Sequence, residues 1–252
     1  TGAWWSDWGL CLARTNWDVP KHRGLSVFIF PIDSDGIEVQ RIEMLNGNMD
    51  FCQEYLDDLR VPDAHRIGEV DDGWTVGSRW MIHERMQSNS PFVTRPTGQE
   101  VGRVDGDVMA AIAADTGRLD DPAARELIGE AETLDLATGA IEHRIGSALT
   151  AGVYTGQESS IVRLFHGQSI IRRETIGFEL AGSAGGAWLD EDGEAAMRGD
   201  DFLMRQSAAI GGGTLEIARN VIAERVLGMP RERSGDKDVP FRDVPRSAGS
   251  KA

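Results

Sequence analysis

The hydrophobic period of this chain changes once along its length. Over the first 62 residues apolar positions fall in short runs: GLCLART (Gly9 to Thr15), LSVFIFPI (Leu25 to Ile32), GIEVQRIE (Gly36 to Glu43) and QEYLDDLRVP (Gln53 to Pro62). Val19-Pro20, Asp33-Ser34-Asp35-Gly36 and Asn46-Gly47-Asn48 supply turn chemistry between them. Strands so short and closely spaced predict an antiparallel sheet or small barrel. After Asp71-Asp72-Gly73 the spacing becomes helical, with Gly77, Trp80, Met81, Glu84 and Ser88 along one face of a helix from Trp74 to about Ser88. A poorly patterned stretch with Pro91, Pro96, Gly98 and Gly102 follows.

Helical spacing then returns over Val104 to Thr116. Asp120-Asp121-Pro122 reads as a helix start, with proline at a first helical position. The helix after it runs to about Ala151 on a stripe of Leu127, Ala131, Leu134, Ile141 and Ile145, with Thr138 as the polar step. Ser159-Ser160 opens another helix, which carries Ile161, Leu164, Phe165, Ile171, Thr175, Phe178 and Ala181 and is broken by Gly182-Ser183-Ala184-Gly185-Gly186. A final helix follows Gly211 to Gly213 and stops at Gly228-Met229-Pro230. Charged, proline-punctuated residues after Pro230 predict a loosely held tail. A β block followed by four or five helices predicts separate domains or α+β layering, not a βαβ fold, and a bundle suits the helices.

Composition narrows the partners. The chain has 252 residues, enough for one large or two ordinary domains, with 40% apolar and 27% charged residues. Its net charge is −15, and its longest basic cluster is Lys21-His22-Arg23, which argues against nucleic acid as the main partner. Apolar runs such as Val27-Phe28-Ile29-Phe30 are far too short to span a membrane. Cys11 and Cys52 lack metal-ligand spacing, so no metal is expected. They read as small buried residues in a reducing compartment, which implies a cytoplasmic protein. No signal peptide or internal repeat is visible. The opening TGAWWSDWGLCLAR starts with Thr1 and runs straight into a strand, so a C-terminal portion of a longer protein is expected.

Several segments in order resemble the acyl-CoA dehydrogenase family. TGAWWSDWGLCLART resembles the strand after its flavin-contacting Trp-x-Thr segment, and PKHRGLSVFIFPI with DDLRVP (Asp57 to Pro62) resembles its middle β domain. GEVDDGWTVG (Gly68 to Gly77) resembles the loop into the first helix of its C-terminal bundle, and GGGTLEIARNVIAERVLG its terminal Gly-Thr-x-Glu-Ile helix. The resemblance covers nearly the whole chain. It implies a partial antiparallel β middle domain over residues 1–70, a C-terminal four-helix bundle over 71–230 and a tail over 231–252, without the family's N-terminal helical domain. The implied reaction is α,β-dehydrogenation of an acyl-CoA thioester. A carboxylate removes the α-proton, FAD N5 takes the β-hydride, and an electron-transferring flavoprotein reoxidises the flavin. An α-proton beside a thioester is a poor acid, so the developing enolate charge needs preorganised donors, and the base needs a dry pocket to raise its pKa. Hydride chemistry belongs to the flavin.

The resemblance also locates the site. Many members carry the base directly before the terminal Gly-Thr, where this chain has Gly212. A minority, similar to isovaleryl- and long-chain-type dehydrogenases, take a Glu from the first bundle helix directly before an Arg, and MIHERM supplies Glu84-Arg85. Glu84 is therefore the candidate base, and Arg85 supports the helix and the substrate side of the site. On composition alone Glu84 would be a solvated or ion-paired residue, but Gly77, Trp80 and Met81 on its face predict that it points inward. His83 is a weaker rival, since a lone histidine beside an apolar face is more often structural or exposed. Gly212 resembles the residue whose backbone N–H polarises the thioester carbonyl. Gly213 and Thr214 resemble the flavin-contacting pair, and Glu216 stands where the family often has a Gln facing the flavin. Without the resemblance the glycines would be a plain turn and Thr214 an N-cap.

Two family features are weak. No Arg-x-x-Phe-Gly segment, which binds a neighbouring subunit's FAD, lies between Ser88 and Gly102. The Gln-x-x-Gly-Gly slot reads Glu179-Leu180-Ala181-Gly182-Ser183, and an acidic Glu179 near a pyrophosphate would be repulsive. Three readings stay open: a catalytic homo- or heterotetrameric dehydrogenase, a non-catalytic or half-site subunit of a heteromeric one, and a flavin thioester oxidase.

Overall fold

The computed structural model of the chain describes residues 2–88, 106–187, 193–231 and 235–245. Two compact units make up the chain: Thr1–Thr94 with Glu232–Ala252, and Arg95–Arg231.

The first unit is built on antiparallel strands. β1 (Trp8–Arg14) pairs with β2 (Leu25–Pro31) over seven residue pairs, Trp8 facing Pro31 and Arg14 facing Leu25. β3 (Ile37–Ile42) and β4 (Phe51–Leu56) form a separate hairpin. A two-residue strand, β5 (Arg66–Ile67), completes the first sheet in the order β1-β2-β5. The apolar runs thus sit where their β-propensity predicts. The fourth strand begins two residues earlier than expected and ends at Leu56, because Asp58 takes φ +51 and leaves the extended region. Val27 and Phe30 are the buried apolar residues of this sheet. Cys11 and Cys52 are half-buried free thiols, less enclosed than the sequence suggests, and burial raises the Cys11 thiol pKa.

The helix α1 (Gly73–Ser88) belongs to this unit. Its lead-in is tied to the sheet by Asp71, a non-glycine residue at φ +67. The Asp71 carboxylate accepts from Thr15 Oγ1 at 2.7 Å and Asn16 Nδ2 at 3.1 Å, while its N–H donates to the Ser26 hydroxyl at 2.9 Å. These bonds hold a backbone conformation that would otherwise cost about 1 kcal/mol or more. At Gly73 an added Cβ would lie 2.6 Å from both the Leu25 carbonyl oxygen and the Ser26 Cα, so only glycine fits. Residues 235–245, expected as a loose tail, return to the same sheet. Phe241 N–H donates to Val19 O, Arg242 N–H to Trp17 O, and the Phe241 ring lies 3.7 Å under the Arg14 guanidinium. An aromatic anchor and two backbone bonds outweigh the charge of the segment.

The second unit is helical: α2 (Gly106–Asp115), α3 (Pro122–Thr150), α4 (Ser159–Ala181), α5 (Ser183–Ala187), α6 (Gly193–Met204) and α7 (Leu215–Val221). Asp121 caps α3, its carboxylate accepting from Ala123 N–H, with Pro122 at the first position as predicted. Met109, Ile112, Ala113, Ala124, Ala131, Ile176, Leu180 and Ala181 form one buried core from α2, α3 and α4. The sequence did not predict α6. It packs on α4 through a Phe178–Phe202 stack at 4.3 Å and through Arg198, whose Cδ fills the space left by Gly177. After α7 the chain widens into a π-helical turn, Ile222–Val226. It closes with Met229 N–H bonding Ala223 O across Gly228 at φ +67, the glycine stop that the sequence signals. No described helix is long and apolar enough to cross a membrane.

Candidate functional site

The three-glycine turn before α7 is the most specialised backbone in the helical unit. Gly212 and Gly213 take φ +72 and +110, a region that side chains disfavour. Alternate N–H groups are tied inward: Gly211 donates to Ser207 O at 2.9 Å and Gly213 to Ile210 O at 3.1 Å. The N–H groups of Gly212 and Thr214 meet no acceptor among the described residues. The Thr214 hydroxyl caps α7 by accepting from Ile217 N–H at 3.2 Å, and Leu215 and Ala218 anchor that helix on its buried side. An added Cβ would meet nothing within 4 Å at Gly213. The turn is open space lined by backbone donors.

Arg163 on α4 holds the turn from behind. Its Nη2 donates to the carbonyl oxygens of Ala208 (2.9 Å), Gly211 (2.7 Å) and Gly213 (2.8 Å). Gly167 makes room for this, since a Cβ there would lie 2.5 Å from Arg163 Nη1 and 2.7 Å from Leu215 Cδ2. Burial lowers the Arg163 pKa from its ordinary value, though such a guanidinium stays charged. Sequence reasoning missed Arg163. Its one signal was a cation at i−4 from a glycine on a helix.

The predicted site residues fall in both units. Gly212, Gly213, Thr214 and Glu216 stand together in the helical unit, where Glu216 is exposed and pairs with Arg219 at 3.4 Å. Glu84 and Arg85 lie on α1 of the first unit, and their side chains are outside the described residues. The inward face expected for α1 is corrected in part. Gly77 is buried beside Leu12, but Trp80 and Met81 are 41% and 48% exposed. Among the described residues, the first turns of the helix meet the sheet side of the unit at Gly73 and Gly77, with Val76 over Gly68. His83 is exposed, in keeping with the structural alternative. The stretch searched for Arg-x-x-Phe-Gly lies almost wholly outside the described residues.

Glu179 is less awkward than its charge suggests. Arg172 takes Glu130 in a bidentate pair, both bonds 2.6 Å, and reaches Glu179 Oε1 at 3.2 Å. Arg172 holds the Glu130 carboxyl below the usual carboxylate range. The Glu179 carbonyl also accepts from Arg118 at 2.7 Å. Its carboxylate is thus partly neutralised. Among the described residues no His, Cys, Asp and Glu group is arranged to hold a metal.

Comparison with known proteins gives these features a context. The acyl-CoA dehydrogenase FadE34 of Mycobacterium tuberculosis is 30% identical over 224 residues, covering 89% of this chain and 29% of that protein. IpdE1 of Mycolicibacterium smegmatis, also an acyl-CoA dehydrogenase, is 30% identical over 234 residues, 92% of this chain and 56% of that one. By sequence the chain is similar to acyl-CoA dehydrogenases over about nine-tenths of its length. It spans under two thirds of the length of these two dehydrogenases. Solved structures agree on the mixed α and β fold. The "Tcur3481-Tcur3483 steroid ACAD" matches with TM-score 0.75 at 22% identity, covering 92% of this chain and 59% of that one. The ChsE4-ChsE5 complex from Mycobacterium tuberculosis matches with TM-score 0.67, also at 22%, covering 91% and 59%. No family model matches the chain.

Proposed function

We propose that this chain carries out FAD-dependent α,β-dehydrogenation of an acyl-CoA thioester, with the helical unit serving as the family's C-terminal bundle. The observation that carries the reading is the 211–214 turn. It presents two backbone N–H groups, at Gly212 and Thr214, that have no partner among the described residues, in a chain similar to acyl-CoA dehydrogenases over about nine-tenths of its length. Such neutral, preorganised donors fit a thioester carbonyl and a flavin edge, because they stabilise negative charge as it develops without reorganising. FAD, when bound, supplies the hydride acceptor. Glu84 removes the substrate α-proton, and Arg85 supports the helix and the substrate side. Gly212 N–H polarises the carbonyl oxygen, so that charge released by deprotonation moves onto an oxygen already hydrogen-bonded. Gly213 and Thr214 would hold the flavin edge, with Glu216 on the next helical turn in the place of a neutral amide. The product would be the enoyl thioester, and an electron-transferring flavoprotein would be the partner that takes up the electrons.

A second reading is a half-site subunit of a heteromeric acyl-CoA dehydrogenase. The likeness to a two-component assembly favours it. The charge of Glu179 argues for it less once Arg172 is seen beside it. One experiment separates the two. The purified protein is mixed anaerobically with a panel of acyl-CoA thioesters of rising chain length, steroid-acyl thioesters included, and flavin absorbance is followed. Bleaching by the protein alone supports the first reading. A colourless protein that gains flavin only with a co-expressed partner supports the second, and a flavin-loaded protein that no thioester bleaches contradicts the first.

A further inference from the structure

We infer that Arg163 is a positioning residue that holds the 211–214 turn with its Gly212 and Thr214 N–H groups pointing outward and strengthens both as donors. The inference rests on the reading that this turn meets the thioester and the flavin. In a trans peptide the carbonyl and the N–H point in opposite directions, and the described chain has no cis peptide. The Gly211 carbonyl that accepts from Arg163 at 2.7 Å shares its peptide plane with Gly212 N–H. The Gly213 carbonyl, accepting at 2.8 Å, shares its plane with Thr214 N–H. The guanidinium therefore grips the two peptides whose N–H groups have no acceptor among the described residues, and it skips the 212–213 peptide, whose N–H already bonds Ile210. A cation on a carbonyl draws electron density along the amide and polarises the N–H at the other end, which strengthens a hydrogen bond made there.

Two further facts fit this role. A single Nη2 reaches three carbonyls, so the group sits at the centre of the loop, not at its rim. Arg163 Nε is buried without a partner among the described residues, so the guanidinium is placed to serve the turn at the expense of its own bonding. Gly167 is what allows it to lie flat against α4.

The test combines NMR with kinetics on the full chain. Carbonyl-13C glycine combined with 15N glycine selects amides that follow a glycine, namely Gly186, Gly212 and Gly213, and 15N threonine selects Thr214 alone. In Arg163→Met the amide protons of Gly212 and Thr214 should move upfield, while Gly186 stays in place. Arg163→Lys should give a smaller shift and recover part of the activity lost in Arg163→Met. With an acyl-CoA that bleaches the wild type, Arg163→Met should lower kcat about tenfold, short of the loss seen when such a donor is removed outright, with KM within about twofold. Unmoved Gly212 and Thr214 signals in a folded variant would overturn the inference, as would moved signals with unchanged kcat. Circular dichroism reports folding, and the lysine variant carries the test if the methionine variant does not fold. If no acyl-CoA bleaches the wild type but the amide protons shift as described, the clamp stands and the dehydrogenation reading fails.

Discussion

Two helices of this molecule start from glycine turns, and the turns are made for different ends. Before α1, Gly73 is walled in by backbone on the first sheet, and Asp71 spends its polar atoms on Thr15, Asn16 and Ser26. Before α7, Gly213 has open space around it and two N–H groups have no partner among the described residues, while Arg163 takes the carbonyls. The first glycine is there because nothing larger fits. The second permits a backbone shape that leaves donors free. Glycine alone therefore does not mark a ligand site; the state of the neighbouring N–H groups does.

The largest effect is expected for Gly73→Ala. Its Cβ would meet backbone that cannot rotate away, so a loss of about 3 kcal/mol is expected in a urea unfolding curve. Gly213→Ala should cost less, about 2 kcal/mol, all of it backbone strain at φ +110 with no steric clash. If Gly213→Ala proved the worse of the two, the contrast between packed and open turns would fail. Thr214→Ala removes the α7 cap and should cost about 1 kcal/mol by the same measurement.

The smallest effect is a control away from both turns. Glu174 on α4 is held above its ordinary carboxyl pKa of 4.5 by burial and by Asp201, with Arg198 and Arg173 opposing. The folded state therefore binds this proton more tightly than the unfolded state. The stability it contributes is present at low pH and is lost as pH rises above about 4.5. Relative to Glu174→Gln, the wild type should lose on the order of 1 kcal/mol between acid and neutral pH, seen in melting temperatures taken across that range. An equal pH slope in the two proteins would contradict the assignment.

Legibility in the sequence followed the range of the interactions. The strands from Leu25 and Ile37, the Asp121-Pro122 start and the Gly228 stop depend on neighbours in sequence, and the structure agrees. Helix α6 was missed because its stability comes from Phe178 and Gly177 on α4, far away in sequence. The return of Phe241 to Arg14 was missed for the same reason. At the candidate site the glycines and Thr214 were legible as a motif. Arg163 was not, since the carbonyls it grips begin 45 residues later.

Glu84 is the base in the proposed dehydrogenation. The direct measurement is exchange of the substrate α-proton in deuterated water, followed by mass spectrometry in the wild type and in Glu84→Gln, with bound flavin checked by absorbance. Exchange should be rapid in the wild type and fall at least about a hundredfold in Glu84→Gln with flavin retained. Undiminished exchange in Glu84→Gln would contradict that role and move the search to His83 or to an acid outside α1.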